Sequence, residues 1–171
     1  MAGQLLQRAW GKTPASKLVP HPLPEKLFNP HSYVKGHFLS PKNAKRDSHW
    51  KWSEPKWDNI PGRKRGRYLG KPLLHSDKSG SKVSMKFEGR AIGAFVLAGP
   101  AAGTLAFELD GTVKGTIDLR HRYSRGLHYP RTVMFAHDLE PGVHHLTLTL
   151  LGGGDGAGKA TAARILQFCV N

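Results

Sequence analysis

Short runs of alternating hydrophobic and polar residues, separated by turn signals, fill the chain from residue 81 to its end. Val83, Met85 and Phe87 alternate with polar residues, and this is the two-residue period of a β-strand with one buried face. Residues 91 to 98 are almost continuously apolar, which is typical of a strand buried on both faces. Asp110-Gly111 lies between two further runs and predicts a tight hairpin.

The runs together predict seven short strands with no long amphipathic helix between them. Antiparallel strands can be joined by short turns, whereas parallel strands need crossovers of about a dozen residues or more. The connections in this chain are too short for such crossovers. We therefore predict an all-β fold, an antiparallel β-sandwich or jelly roll with its strands packed in two sheets.

The first 72 residues follow a different pattern. Leu5, Leu6 and Trp10 are spaced as in a short helix, and the five prolines from Pro14 to Pro30 indicate an extended linker. Residues 31 to 72 mix aromatic, proline and basic residues with weak periodicity, which predicts long loops with two edge strands on the core. We expect two parts: a short N-terminal helix with a Pro-rich linker over residues 1–30, and a sandwich over residues 31–171.

Charge and hydropathy narrow the possible partners. The formal net charge is +14, and residues 35 to 71 hold eleven Lys or Arg against three acidic residues. Such an excess attracts polyanions without sequence specificity, so nucleic acid is expected only as a non-specific partner. No segment approaches the roughly 20 apolar residues that span a bilayer, and no export signal precedes the linker, so no membrane partner is expected.

Several motifs occur in order along the second half of the chain: residues 87–103, Leu-Asp-Gly at 109–111, Gly-Leu-His-Tyr-Pro-Arg-Thr-Val at 126–133, residues 138–148, and Arg-Ile-Leu-Gln-Phe at 164–168. Together they resemble the accessory, galactose-binding-like β-sandwich domain of SGNH/GDSL hydrolase family proteins. Residues 29–33 and Trp50-Lys-Trp52 resemble the opening segment of the same domain. The resemblance implies an attached or preceding SGNH-type catalytic domain, with residues 1–24 as its final helix and exit linker, and a parent protein that is secreted or on the cell surface.

The chain lacks the groups that an SGNH hydrolase needs for catalysis. It has neither a Gly-Asp-Ser block nor a Gly-x-Ser-x-Gly turn to carry a nucleophile. Asp118-Leu-Arg-His121 matches the Asp-x-x-His pair that orients a catalytic base, but no nucleophile accompanies it. His144 and His145 would point to opposite faces of a strand and could not easily share a metal ion. We predict that the chain is not an enzyme and has no catalytic residue, metal or cofactor.

Three tryptophans are the first candidates for carbohydrate binding. Trp50, Trp52 and Trp57 lie in the basic segment, where exposed indole rings would form a platform for the apolar face of a pyranose. The alternative is that these rings fill the open edge of the sandwich and bury their large surface.

A loop rich in arginine and tyrosine is the second candidate. His128, Tyr129 and Arg131 lie in the segment from Arg120 to Arg131, between two predicted strands. The planar fork of arginine can pair adjacent hydroxyls, and tyrosine supplies both a ring and a hydroxyl. The alternative is that these residues shape the loop itself.

Three functions fit the sequence. The leading prediction is a non-catalytic carbohydrate-binding module that targets an attached esterase or hydrolase to a polysaccharide or oligosaccharide. The second is a structural scaffold that buttresses an SGNH hydrolase without a ligand of its own. The third is a basic adaptor for anionic polymers.

Overall fold

The computed structural model describes residues 29, 32–152 and 161–171. Residue contacts divide the chain into two units, Met1–Ser32 and Tyr33–Asn171, and the second unit holds all the strands described below. The predicted N-terminal helix and Pro-rich linker lie outside the described residues, and the division at residues 30 and 31 stays a prediction. The helical turns within the described residues are only three or four residues long, so none could cross a membrane.

Eleven strands form two antiparallel sheets within the described residues. The six-stranded sheet has the order β3-β4-β11-β6-β9, and β1 pairs with the end of β11 that β4 leaves free. The five-stranded sheet has the order β2-β5-β10-β7-β8. The strands are β1 (His37–Leu39), β2 (Lys45–Arg46), β3 (Lys51–Ser53), β4 (Leu73–Ser76), β5 (Lys82–Glu88), β6 (Ile92–Ala98), β7 (Thr104–Leu109), β8 (Thr112–Asp118), β9 (Tyr129–Ala136), β10 (Val143–Leu151) and β11 (Ala163–Val170).

The main core lies between the two sheets and follows the two-residue period of the sequence. On the five-stranded sheet, Met85 pairs with Leu146 and Val83 with Leu148, and all four side chains are buried. Ala94 and Val96 of β6, on the six-stranded sheet, are fully buried in the same core. The predicted antiparallel β-sandwich is confirmed, with consecutive strands repeatedly crossing between the sheets as in a jelly roll.

Residues 54–72, which we call the covering segment, pack on the outer face of the six-stranded sheet. The segment contains two 3-10 turns, Trp57–Asn59 and Gly66–Tyr68. Trp57 and Tyr68 form a second core with Leu73 and Leu97, against Ile60, Phe95 and Leu166. Because β6 faces a core on each side, its near-continuous apolar sequence is explained.

The predicted hairpin at Asp110-Gly111 is confirmed, whereas the predicted number of strands before residue 73 is not. Asp110 and Gly111 both have positive φ angles, 51° and 79°, as a two-residue hairpin between β7 and β8 requires. Residues 32–72, the described part of the segment 31–72, hold three short strands rather than two. Strands of two or three residues are too short to show an alternating pattern, so this part of the prediction was wrong.

Candidate functional site

The three tryptophans do not form an exposed platform. Trp50 is only 2% exposed and lies in the main core, whereas Trp57 is 8% exposed and lies in the second core on the other side of the sheet. Trp52 is half-buried on β3 and packs against the main core. The expectation of a shared exposed face is therefore wrong for Trp50 and Trp57, because the basic segment contributes its indole rings to two separate cores.

His128 is also inaccessible, with 1% of its surface exposed. Its Nε2–H donates to the carbonyl oxygen of Pro61 at 3.0 Å, and its ring meets the Trp57 indole edge-on with centroids 5.1 Å apart. A Cβ at Gly99 would lie 2.3 Å from the imidazole, so the strand approaches the ring as closely as only glycine allows. His128 attaches the covering segment to the sheet, and the expectation that it contacts a ligand directly is wrong.

Burial also determines the protonation state of His128. The loss of hydration lowers its pKa to about 4, and the positive charge of Arg164 acts in the same direction. The imidazole is therefore neutral near pH 7, which agrees with one ring nitrogen donating to Pro61. We call Trp57, Tyr68 and His128 the closed cluster.

Tyr129 belongs to a second aromatic group, His121, Tyr123 and Tyr129, which we call the open cluster. The rings of His121 and Tyr129 are stacked, with centroids 4.7 Å apart and planes 10° from parallel. Tyr123 lies 5.3 Å from Tyr129 and is 49% exposed. The open cluster thus presents aromatic surface to solvent at one end of β9.

A capping box fixes the backbone of the open cluster. His121 precedes the 3-10 turn Arg122–Arg125, and its Nδ1 accepts a hydrogen bond from the backbone N–H of Tyr123 at 3.4 Å. The buried hydroxyl of Ser124 accepts in return from the backbone N–H of His121 at 3.1 Å. These bonds fix the His121 ring and the backbone of Tyr123 before any ligand arrives.

Arginines flank the open cluster. The guanidinium of Arg122 lies 4.7 Å from the centroid of the Tyr123 ring, and its Nη2 donates to the Tyr123 hydroxyl at 2.7 Å. Arg131 is half-buried and donates from Nη1 to the carbonyl oxygen of Arg120 at 2.8 Å. Of the six predicted binding residues, Tyr129 and Arg131 thus lie next to an exposed aromatic surface, and their binding role stays a prediction.

The Asp-x-x-His match has a local structural role. Asp118 Oδ1 accepts from the backbone N–H of Arg120 at 2.8 Å, and His121 caps the next turn. Across the part of the chain that the structure describes, no three His, Cys, Asp or Glu side chains converge where they could hold a metal ion.

A pocket of about 330 Å³, which we call the basic pocket, lies beside the covering segment. Arg164 lines it and is 6% exposed, and among the described residues its Nε and Nη1 have no hydrogen-bond partner. Burial lowers the pKa of Arg164 to about 10, so it stays charged at neutral pH. The lining residues are His49, Lys51, Ser53, Glu54, Pro55, Lys56, Asn59, Ile60, His75, Ser76, Asp77 and Arg164.

Arg164 was not among the site residues predicted from the sequence. The available signal was an arginine inside a strand whose neighbours Ala163 and Ile165 are apolar. A charged residue in such a run is rarely fully buried without a partner.

No family model matches the chain, and neither does any curated protein. The fold is similar to a two-domain esterase (CEX) active on acetylated mannans, with a TM-score of 0.64 and 14% sequence identity over 99% of this chain and 44% of that one. The same enzyme co-crystallised with mannopentaose gives a TM-score of 0.63 and 14% identity, over 89% of this chain and 39% of the other. The chain therefore spans less than half the length of this esterase.

Two further solved structures share the fold. The CBM36-1 domain of a multidomain xylanase from the hindgut metagenome of Trinervitermes trinervoides has a TM-score of 0.50 and 10% identity over 80% of this chain and 96% of that domain. An exo-β-1,3-galactanase from Phanerochaete chrysosporium, with galactose, has a TM-score of 0.52 and 16% identity over 82% and 30% of the two chains. The sequence resemblance is thus confirmed at the level of fold: the chain is an antiparallel β-sandwich of the type found in carbohydrate-binding modules and carbohydrate-active esterases.

Proposed function

We propose that the chain is a non-catalytic carbohydrate-binding module whose ligand lies on the open cluster. The observation that carries the proposal is the exposed Tyr123 ring, held beside the His121–Tyr129 stack by a capping box and flanked by arginines. Aromatic rings contact the apolar face of a pyranose, and arginine donates hydrogen bonds to its hydroxyl groups. Because the rings are already positioned, binding requires little loss of conformational entropy.

The first ligands to test are mannans. The structurally similar esterase acts on acetylated mannans and was crystallised with mannopentaose, and the structural match covers 99% of this chain and 44% of the esterase. We further propose that the module brings an attached esterase of the SGNH type to its polysaccharide. Attachment of this kind raises the local concentration of the enzyme at an insoluble substrate.

Affinity gel electrophoresis with acetylated mannan, mannan, xylan and β-1,3-galactan tests the binding proposal. We expect retardation on mannan that changes little between about 50 and 200 mM salt, because stacking on rings does not depend on counterion release. Retardation that disappears over this salt range would favour the basic adaptor for anionic polymers. Migration that no neutral glycan changes would favour the scaffold.

Two variants locate the site. Tyr123→Ala removes the exposed ring, and we expect it to weaken glycan binding at least about tenfold. Phe38→Ala is the matched control, because it removes a ring that is 64% exposed on β1, outside the open cluster. Equal effects of the two variants would exclude the open cluster as the site.

Targeting has a separate test in a longer protein that joins this chain to an esterase domain. There, Tyr123→Ala should slow deacetylation of insoluble acetylated mannan and leave hydrolysis of a small soluble ester unchanged. An equal loss on both substrates would indicate a scaffold role instead.

A further inference from the structure

Three basic side chains form a row across three strands at the basic pocket. In the sheet register, His75 of β4 lies opposite Lys51 of β3 on one side and Arg164 of β11 on the other. Directly opposed residues of an antiparallel pair project from the same face of the sheet. Lys51, His75 and Arg164 therefore project together from the outer face, where all three line the pocket.

The pocket lining carries three cations, Lys51, Lys56 and Arg164, against two carboxylates, Glu54 and Asp77. Asp77 attracts Arg164 electrostatically, but the described residues contain no ion pair between them within 4 Å. Glu54 accepts at Oε1 from the backbone N–H of Gly70 at 2.6 Å and forms no ion pair with Arg164 within the described residues. His75 is held neutral, because burial and the charges of Arg164 and Lys51 lower its pKa.

Arg164 is an unusual buried cation because it lacks a hydrogen-bonded partner. The Cζ atom of Arg164 lies 5.9 Å from the centroid of the Trp57 ring. Neither Nε nor Nη1 of Arg164 has a hydrogen-bond acceptor within the described residues. Buried charges are normally paired, and an unpaired one costs free energy that the fold must supply. An anion in the pocket would neutralise this charge.

We propose that the basic pocket is an oxyanion site that takes the carboxylate of an acidic sugar. Arg164 supplies the planar donor group that suits a carboxylate, and Lys51 and Lys56 add further positive charge to the lining. Ser53 and Asn59 add polar groups for sugar hydroxyls, with the Ser53 hydroxyl oxygen 3.1 Å from His75 Nε2. The choice of a sugar as ligand rests on the proposed function, whereas the choice of an anion rests on Arg164 alone.

Thermal unfolding with added sodium glucuronate tests this site, with glucose as the uncharged analogue and sodium sulfate as a second anion at the same ionic strength. We expect glucuronate at about ten times its Kd to raise Tm by about 3–6 °C and glucose to have no effect. Equal stabilisation by glucose, or by sulfate, would overturn the assignment to a sugar carboxylate.

Variants assign the effect to Arg164. Arg164→Lys should weaken glucuronate binding about tenfold, because the charge remains but the planar donor group is lost. Arg164→Met should abolish binding and, without ligand, have a Tm at or above that of the unchanged protein, because an unpaired buried charge has been removed. Lys114→Ala, an exposed lysine on β8 of the other sheet, is the control.

An Arg164→Met variant that still responds to glucuronate would overturn the proposal. So would one that unfolds at a much lower temperature, because Arg164 would then have an internal partner. Tyr123→Ala should leave the glucuronate response unchanged, whereas Arg164→Met should leave mannan retardation unchanged. Failure of this site is therefore distinguishable from failure of the proposed open-cluster function.

Discussion

The closed and open clusters contain similar side chains in opposite environments. Each combines aromatic rings with a histidine and an adjacent arginine: Arg164 lies over Trp57 in one, and Arg122 over Tyr123 in the other. His128 and Tyr129 are consecutive residues, yet His128 packs under the covering segment and Tyr129 joins the open cluster. Adjacent residues of an extended segment point to opposite sides, so one dipeptide serves both clusters.

The difference lies in the covering segment rather than in residue type. Where residues 54–72 pack on the sheet, the rings are buried and contribute to stability through apolar area. Where the chain forms the short capped turn at residues 122–125, the rings remain in contact with solvent. We therefore expect changes in the three closed-cluster residues, Trp57, Tyr68 and His128, to reduce stability, and changes in the open cluster to reduce binding.

The largest expected effect is that of Gly99→Ala. A Cβ at this position overlaps the buried His128 ring, which Pro61 and Trp57 hold in place, so we expect a loss of about 3 kcal/mol in unfolding free energy. Urea denaturation measures it. Gly126→Ala is the control, since a Cβ there meets no atom within 4 Å and φ is −131°. Equal losses in the two variants would contradict the packing described for the closed cluster.

The next largest expected effect is the contribution of His128 to the pH dependence of the unfolding free energy. The folded pKa of His128, about 4, lies below the ordinary value of 6.5, so the unfolded chain binds more protons between these pH values. The stability associated with neutral His128 is present above pH 6.5 and is lost as the pH falls towards 4. We expect this contribution to be on the order of 2 kcal/mol.

The measurement is the difference in unfolding free energy between pH 7.5 and 4.5, for the unchanged protein and for His128→Leu. The variant should lose less stability on acidification than the unchanged protein. Burial also lowers the pKa of His75, but its contribution is present in both proteins and cancels in the comparison. Identical pH dependence would show that His128 is not buried in a neutral form.

A smaller effect is expected from Ser124→Ala in the open cluster. The substitution removes the hydroxyl that accepts from the His121 backbone and should cost about 1 kcal/mol in stability. Because the His121–Tyr129 stack is then less firmly held, mannan retardation should also weaken. Ser48→Ala, at an exposed serine outside both clusters, should change neither quantity.

The smallest effect on stability is expected from Tyr123→Ala. The ring is half exposed, so its removal should change the unfolding free energy by no more than about 0.5 kcal/mol while it weakens glycan binding. A loss above about 2 kcal/mol would mean that Tyr123 is a core residue, and the contrast between the clusters would not hold.

Much of the sandwich is predictable because its signals are local. Alternation in β5, the apolar run of β6 and the Asp110-Gly111 turn each reflect backbone geometry at a single place in the chain. The burial of Trp50 and Trp57 is not predictable from local sequence. Their neighbours are basic and suggest exposure, but burial depends on which distant strand the segment packs against.

Local sequence also does not predict which site residues are buried or which of them lie together. His128 and Tyr129 are adjacent in the sequence and point to opposite sides of the strand, and His128 is buried because the covering segment packs on its side. The basic row of Lys51, His75 and Arg164 comes from three separate regions of the sequence and becomes visible only in the sheet register. Local motifs thus predict strands and turns, whereas the sites depend on long-range pairing.

Titration of the protein with mannopentaose, followed by backbone amide shifts in ¹H–¹⁵N NMR spectra, would locate the carbohydrate-binding surface residue by residue. We expect saturable shifts concentrated in residues 120–131, with small changes in residues 54–72. Shifts concentrated in the covering segment, or no saturable shift with any neutral glycan of the panel, would contradict the claim that the open cluster is the carbohydrate-binding surface.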